Sequence, residues 1–370
     1  MGAWAGRSAC VRALLPLLLW LGNRSIFSVE FRGHGPSQDT SMPRHIALAL
    51  AALLLSSSVS AQVVRVGDLN TRQIRDLDRN RTVVFLQGGM LEEHGPYLPA
   101  FTDGILSDRL TKAVAEGVVA KLPGWTALVF PPVSVGASGS NEIGKQFVFP
   151  GTYAVRPSTL RAVYMDLATE LGEQGFKWVM VVHVHGSPLH IGALDDAGDF
   201  FHDTYGGQMV NLWGLLPVLS GWGNAMSIMT AEQKKEDGVS LHGGADEHSM
   251  MLHLQPELVA PGYRTAPSLT GSNYAESFAV SRRKDWPGYI GAPRLANAAL
   301  GKHIWTGFSD AALKTTLEIL NGRDPSTYQR YLSFLVKDPL YQDWIKSAND
   351  RDAMLAEQQR SWSVRRKGRP

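Results

Sequence analysis

"TVVFLQGGMLEEHGPYLPAFTDGILSDRLTKAVAEGVVAKL" occupies residues 82–122. It opens on a continuous apolar run, "TVVFLQGG", the pattern of a buried strand. It closes on a helix, in which Leu106, Leu110, Val114 and Val118 recur at four-residue spacing and make one apolar face. Between the two, "LEEHGPYLPAFTD" (91–103) gathers Glu92, Glu93, His94 and Asp103 around a Gly-Pro and a Leu-Pro. Crowding carboxylates and an imidazole into one loop is costly unless something positive sits among them.

The alternation of strand and helix continues along the chain. "WTALVFPPVSVG" (125–136) reads as a strand. "PSTLRAVYMDLATELGEQGF" (157–176) reads as a helix capped by Ser158 after Pro157, burying Leu160, Val163, Leu167 and Leu171 and stopping at Gly175. "KWVMVVHVHGS" (177–187) is a further apolar strand. Such an order predicts an α/β fold with one mostly parallel sheet covered on both faces. In such sheets the ligand site lies beyond the carboxyl ends of the strands, so residues 91–103 and the "HVHGS" segment are expected at the same edge. From Pro261 to Pro293 the chain is rich in Gly, Pro, Ser and Arg and reads as a long surface excursion. Helical material follows in "SDAALKTTLEILNG" (309–322) and in residues 326–362. The expected organisation is one domain over 62–325 with a helical C-terminal extension over 326–370 that ends in a basic tail, "RRKGRP". No internal repeat and no second sheet-forming region are found.

The first 61 residues read as targeting sequence. From Met42, "MPRHIALALAALLLSSSVSAQ" has a basic start at Arg44, an apolar run from Ile46 to Leu55, and small residues ending at Ala61. That is the pattern of a secretory signal cleaved before Gln62, with Met42 as the true start and residues 1–41 as upstream leader. The apolar run is about half of the ~20 residues needed to span a bilayer, so an exported, periplasmic or secreted protein without a stable membrane span is expected. The chain of 370 residues is 44% hydrophobic and 19% charged, an ordinary globular balance. Removing 1–61 takes five of the 36 basic residues and two of the 34 acidic ones, leaving 31 against 32. That near-neutrality gives no sign of nucleic acid or an anionic membrane as partner. Cys10, the one cysteine of the sequence, lies in the leader, which suits an oxidising compartment and excludes cysteine nucleophiles and thiolate metal ligands.

Glu92 and His94 are two apart and face the same way on an extended segment. Asp103 follows beyond the stiff "GPYLP" turn, and His183 and His185 repeat the two-residue spacing. Oxygen and nitrogen ligands without thiolate suit Zn, Mn or Fe, and one carboxylate can bridge two divalent ions roughly 3.5 to 4 Å apart. Any one of these residues alone reads as solvated or simply hydrogen-bonded; together they read as a metal site, because unpaired charges collected at the end of a buried strand are costly. "GASGS" (136–140) lacks the spacing of a serine-hydrolase elbow, and no P-loop or dinucleotide fingerprint is present. Trp178, Trp213 and Trp222 read as core residues rather than substrate-stacking walls. Trp222, between glycines in "SGWGNAM", is the best candidate for a flexible lid.

With these motifs in place the sequence resembles the creatininase (creatinine amidohydrolase) family. "GGMLEEHGPYLPAFTD" is similar to its Glu-x-His-Gly-Pro-His-Leu-Pro signature and following Asp. "FPGTYAV" (149–155), "VVHVHGS" and "HGGADEHSMMLHLQPELV" (242–259) follow in the family's order, as does "GYIGAPRLANAALGK" near the end. The resemblance runs from about residue 80 to 322. It implies a three-layer α/β/α sandwich, two divalent ions per chain, a homo-oligomer, and hydrolysis of a C–N amide bond in a cyclic or small linear substrate by a metal-activated water. Carried over by position, Glu92 and His185 would hold one ion and His94 the other, with Asp103 bridging; Glu247 and His242 would handle protons and assist the intermediate. Departures are also plain. His185-Gly186-Ser187 stands where creatininase has His-Tyr-Glu, so a ligand of the second ion is missing, and Glu247 or His183 is expected to supply it. Tyr97, Ala245 and His248 also differ from the pattern, which puts creatinine itself in doubt as substrate. The alternatives are a two-metal formamide, lactam or peptide hydrolase of the same fold, and a non-catalytic exported binding protein.

Overall fold

A computed structural model of the chain describes residues 62–367; the leader and the proposed cleavage after Ala61 lie outside the described residues. Five parallel strands form one sheet: β1 (Gln62–Arg65), β2 (Thr82–Gln87), β3 (Thr126–Val129), β4 (Trp178–Val182) and β5 (Gln208–Asn211). Their order is β1-β3-β2-β4-β5. The main helices are α1 (Thr102–Lys121), α2 (Pro157–Glu173), α3 (Pro188–Tyr205), α4 (Leu216–Ala225), α5 (Ala245–Leu254), α6 (Tyr274–Ser281), α7 (Ala298–Leu320) and α8 (Pro339–Lys367).

The all-apolar reading of β2 and β4 has a simple cause: each strand feeds two cores. Val83, Phe85, Met180 and Val182 pack on one face with α1 and α7, while Val84, Leu86, Val179 and Val181 pack on the other with α2 and α3. Alternate side chains point to opposite faces, so burial on both leaves no polar position. The result is the expected three-layer α/β/α sandwich.

The strand order also fixes the site. From β2 the chain crosses to β3 on one side, then returns past β2 to β4 on the other, so β2 and β4 are paired where the order reverses. Gln87 at the end of β2 lies opposite Val182 at the end of β4. Loops leaving both strands therefore open into one crevice, where ligands bind in sheets of this kind. Gly88 is needed at this junction, because a Cβ there would meet the His183 ring at 1.9 Å and the Val133 carbonyl at 2.7 Å.

Several local expectations are corrected. Pro157 is the first residue of α2 and Arg156 its N-cap, so Ser158 is not the cap; proline, with its fixed φ and missing N–H, suits that first position. The buried face of α2 carries Leu160, Tyr164, Ala168 and Leu171, with Val163 and Leu167 only half-buried. In "WTALVFPPVSVG" only Thr126–Val129 is strand, since two prolines end the ladder after Phe130. The stretch 261–293 is not a surface excursion: it contains α6 and buries Phe278, Trp286, Tyr289 and Ile290. Trp222 is no lid. It is 8% exposed, packed edge-on to Trp213 and Phe308, and its Nε1 donates to Asp246 at 2.9 Å. Residues after 325 fold back over the site, bringing Tyr331, Tyr341 and Trp344 to it. Among the described residues no helix is long and apolar enough to cross a membrane.

Candidate metal centre

Beyond β2 the chain turns so that Glu92, Glu93 and His94 are all buried, at 1%, 4% and 1% exposure. Asp103 enters from the first turn of α1, where the helix dipole favours a carboxylate. Its carbonyl accepts from Ser107 Oγ, and Ser107 Oγ in turn accepts from the Val184 amide at 2.9 Å, which ties α1 to the end of β4. His185 follows three residues past the end of that strand. Three groups of ligand-type atoms result: Glu92, Asp103 and His185; His94, Asp103 and Glu247; and Glu92, His94 and His242, with all atoms of each group within 4.8 Å of one another. Asp103 joins the first two. Its Oδ1 is 3.2 Å from His94 Nε2, and its Oδ2 is 3.1 Å from His185 Nδ1.

The outer partners set which nitrogen of each ring faces inward. His94 Nδ1 donates to the Glu92 carbonyl at 3.0 Å, leaving Nε2 toward Asp103 and Glu247. His185 Nε2 donates to the Ser138 carbonyl at 3.2 Å, leaving Nδ1 2.9 Å from Glu92 Oε2. Ser138 reaches that position with φ at +62°, a left-handed conformation unusual for serine. Backbone carbonyls fixing the far nitrogen of a histidine are a regular feature of metal ligands.

Three inward atoms, Glu92 Oε2, His94 Nε2 and Asp103 Oδ2, are buried without an aligned hydrogen bond. Buried polar atoms are otherwise almost always paired. Burial raises the Glu92 carboxyl, but His185, His242 and His94 outweigh it and hold it well below the usual carboxylate range. Burial lowers the His185 and His94 imidazoles, yet Glu92 and Asp103 around the first, and Glu247 and Asp103 around the second, raise both well above the ordinary value. Burial also raises Glu247, and chiefly the His94 charge brings it down to about 2. The cluster therefore demands positive charge at its centre, and its donor set of oxygens and imidazole nitrogens fits divalent cations.

The structure distributes the sequence-derived candidates unequally. Glu92, His94, Asp103, His185 and Glu247 converge. His242 lies beside them, its ring 4.3 Å from that of His94 and its Nε2 bonded to the Glu93 carbonyl. Glu247 comes beside His94 and Asp103, with Oε2 accepting from the Gly243 amide at 2.5 Å and Oε1 3.8 Å from His94 Nε2. His183 is outside all three groups. Its ring is bonded to the Tyr164 hydroxyl, and burial, then the His185 charge, lower it to about 3.

Some residues went unrecognised in the sequence. Burial, then the Glu92 charge, push Glu93 up to about 9, and Ser140 Oγ and Thr152 Oγ1 both bond to it. As a neutral acid it staples the 140s loop and the "FPGT" loop to the site. Asp246, on the same cavity, is raised to about 7 by burial and by the adjacent Glu247 charge. Nothing in one-dimensional spacing marks either residue. The cavity holds about 370 Å³, bounded by the ligand cluster and by aromatic side chains that include Trp213, Trp222, Tyr341 and Trp344.

Comparison with known proteins agrees with this geometry. The creatininase family model, described as creatinine amidohydrolase, matches residues 67–316. A mycofactocin precursor peptide peptidase of Mycobacterium ulcerans is 26% identical over 69% of this chain and 93% of its own. A creatinine amidohydrolase of Pseudomonas putida is 28% identical over 48% of this chain and 66% of its own. A creatininase solved with manganese shares the fold, with a TM-score of 0.52 and 21% identity over 70% of this chain and 99% of that one. With its signature residues gathered at the crevice of the same sheet, the chain belongs to the creatininase family of metal-dependent amidohydrolases that act on C–N bonds.

Proposed function

We propose that this chain is an exported amidohydrolase that uses two divalent cations to cleave the C–N bond of a compact amide. The observation that carries the reading is the pair of ligand groups sharing Asp103. Glu92, Asp103 and His185 would hold one cation, and His94, Asp103 and Glu247 the other. When bound, such ions polarise a carbonyl oxygen and lower the pKa of water.

The chain's own residues supply the rest. The Glu92 and Ser138 carbonyls keep His94 and His185 in the ligating tautomer. His242 donates from Nε2 to the Glu93 carbonyl, which leaves Nδ1 to take up a proton and deliver it to the departing nitrogen. Glu247, with Oε2 held by the Gly243 amide and Oε1 turned toward His94, would serve as a ligand, and His242 would carry the proton handling that the family resemblance divides between the two. Glu93, held neutral by burial, adds no further negative charge to a cluster already rich in it.

The test is metal analysis of the purified chain together with a panel of amides, comparing wild type with Glu92→Gln. About two ions per chain and a loss of at least ~10³-fold in kcat/KM in the variant are expected. Fewer than one ion, or activity indifferent to the substitution, overturns the reading. Hydrolysis of a peptide bond is the second reading, supported by the name of the mycobacterial relative and its 93% coverage; product analysis on a short peptide beside a simple amide decides between them. Export is supported by the signal-like 42–61 segment and the cysteine-free remainder. N-terminal sequencing of protein from the periplasmic fraction should start at Gln62.

A further inference from the structure

Part of the cavity wall opposite the acid cluster comes from outside the range that the family model matches. Tyr331, Tyr341 and Trp344 line it, and all three lie beyond the matched range 67–316. Tyr341 and Trp344 sit on the first turns of α8, stacked at 6.1 Å with their planes 29° apart. Phe278 meets Tyr341 edge-on at 5.2 Å, which seats this turn against α6.

The wall is anchored at two further points. Asp343 pairs with Lys145 at 3.1 Å, beside the 140s loop. One helical stretch further on, Asp352 accepts from the Ser158 amide at 3.0 Å and from its hydroxyl at 2.9 Å, and it pairs with Arg156 at 3.3 Å. The aromatic rings are therefore fixed in place and carry no formal charge toward the cavity.

We infer that this C-terminal aromatic wall selects the substrate, and that the substrate is a compact amide bearing an aromatic ring beside the scissile carbonyl. The inference rests on the amidohydrolase reading for which bond is cut, but concerns only what fills the rest of the space. A cavity of about 370 Å³ is near the low end of small-molecule sites, roughly 300–1,000 Å³. It has room for an amide and one ring. Fixed aromatic edges and faces favour a flat ring over a saturated group of equal size, because the quadrupoles of paired rings add to the gain from burial.

Calorimetric titration of the metal-reconstituted full chain with benzamide, cyclohexanecarboxamide and acetamide tests this. Benzamide should bind at least about tenfold tighter than acetamide and several-fold tighter than cyclohexanecarboxamide. In Tyr341→Leu and Trp344→Leu, which keep apolar bulk against Phe278, the benzamide preference should shrink by about tenfold. Equal affinity for benzamide and cyclohexanecarboxamide in the wild type overturns the aromatic class, with no variant needed. A preference that survives both substitutions overturns the wall as its source. Heat reports binding without turnover, so a chain that binds benzamide selectively yet cleaves no amide would sink the hydrolase reading and leave this one standing.

Discussion

The two sides of the cavity are built on opposite principles. On the acid side, four buried groups and the half-buried Glu247, all of ligand type, face one another with orphaned atoms at the centre, an arrangement that costs folding energy. On the aromatic side, Phe278, Tyr341 and Trp344 are buried at 1%, 7% and 6% exposure and bring favourable packing. One cavity thus joins a region that spends stability on chemistry to a region that contributes stability while shaping the space.

Substitutions on each side should separate these roles. Asp103→Asn removes the shared carboxylate and should lower kcat/KM by ~10³-fold or more and deplete both ions, while the metal-free variant melts no lower than metal-free wild type. A large drop in the metal-free melting temperature would show that the acid side also holds the fold. On the aromatic side, Phe278→Ala should destabilise by about 3–5 kcal/mol in denaturant melts, because it empties a fully buried ring site. A loss under 1 kcal/mol would mean that α8 docks without it.

The comparison extends to charge away from the cavity. Burial raises Asp195 to about 6, and its Oδ2 has no hydrogen-bond partner. A carboxyl raised in the folded state adds stability below its unfolded pKa near 3.8 and loses it as pH climbs through about 6. Asp195→Asn should therefore melt increasingly above wild type between pH 4 and 7, by up to about 3 kcal/mol. Parallel melting curves across that window would contradict it. The smallest effect belongs to Asp343→Ala, which breaks half-exposed ion pairs to Lys145 and Arg282 and should cost under about 1 kcal/mol. A larger loss in thermal melts would transfer the anchoring of α8 from its rings to its charges.

The acid side was legible in the sequence and the aromatic side was not, for a physical reason. Glu92, His94 and His185 sit within three residues of one another or directly at the ends of continuous apolar strands, so local pattern and strand topology together place them. β1 and β5 escaped notice because each has only four residues at a sheet edge. Ser158 was misread as a cap because Pro157 occupies the first helical turn rather than preceding it. Tyr341 and Trp344 belong to α8, whose partners lie more than 50 residues upstream in α6 and the 140s loop, and Tyr331 lies in the turn region before it. The spacing of Tyr341 and Trp344 says only that these two share a helix face. Glu247 was expected either as a proton handler or as a ligand; what brings it beside His94 and Asp103 is the turn of the chain at Gly243, which no spacing reveals.

The pairing of β2 with β4 at the centre of the sheet has a consequence for dynamics. Val83 to Leu86 and Val179 to Val182 are at most 1% exposed, with strands hydrogen-bonded on both sides. Their amide protons are expected to exchange with deuterated solvent only when the whole molecule opens, whereas the end of α8 beyond Asp352, largely exposed, is expected to fray by itself. The acid side would then hang from the slowest-exchanging part of the chain, and the opposing rings, held by Phe278, Lys145 and Ser158, would keep their place while the helix frays at its far end.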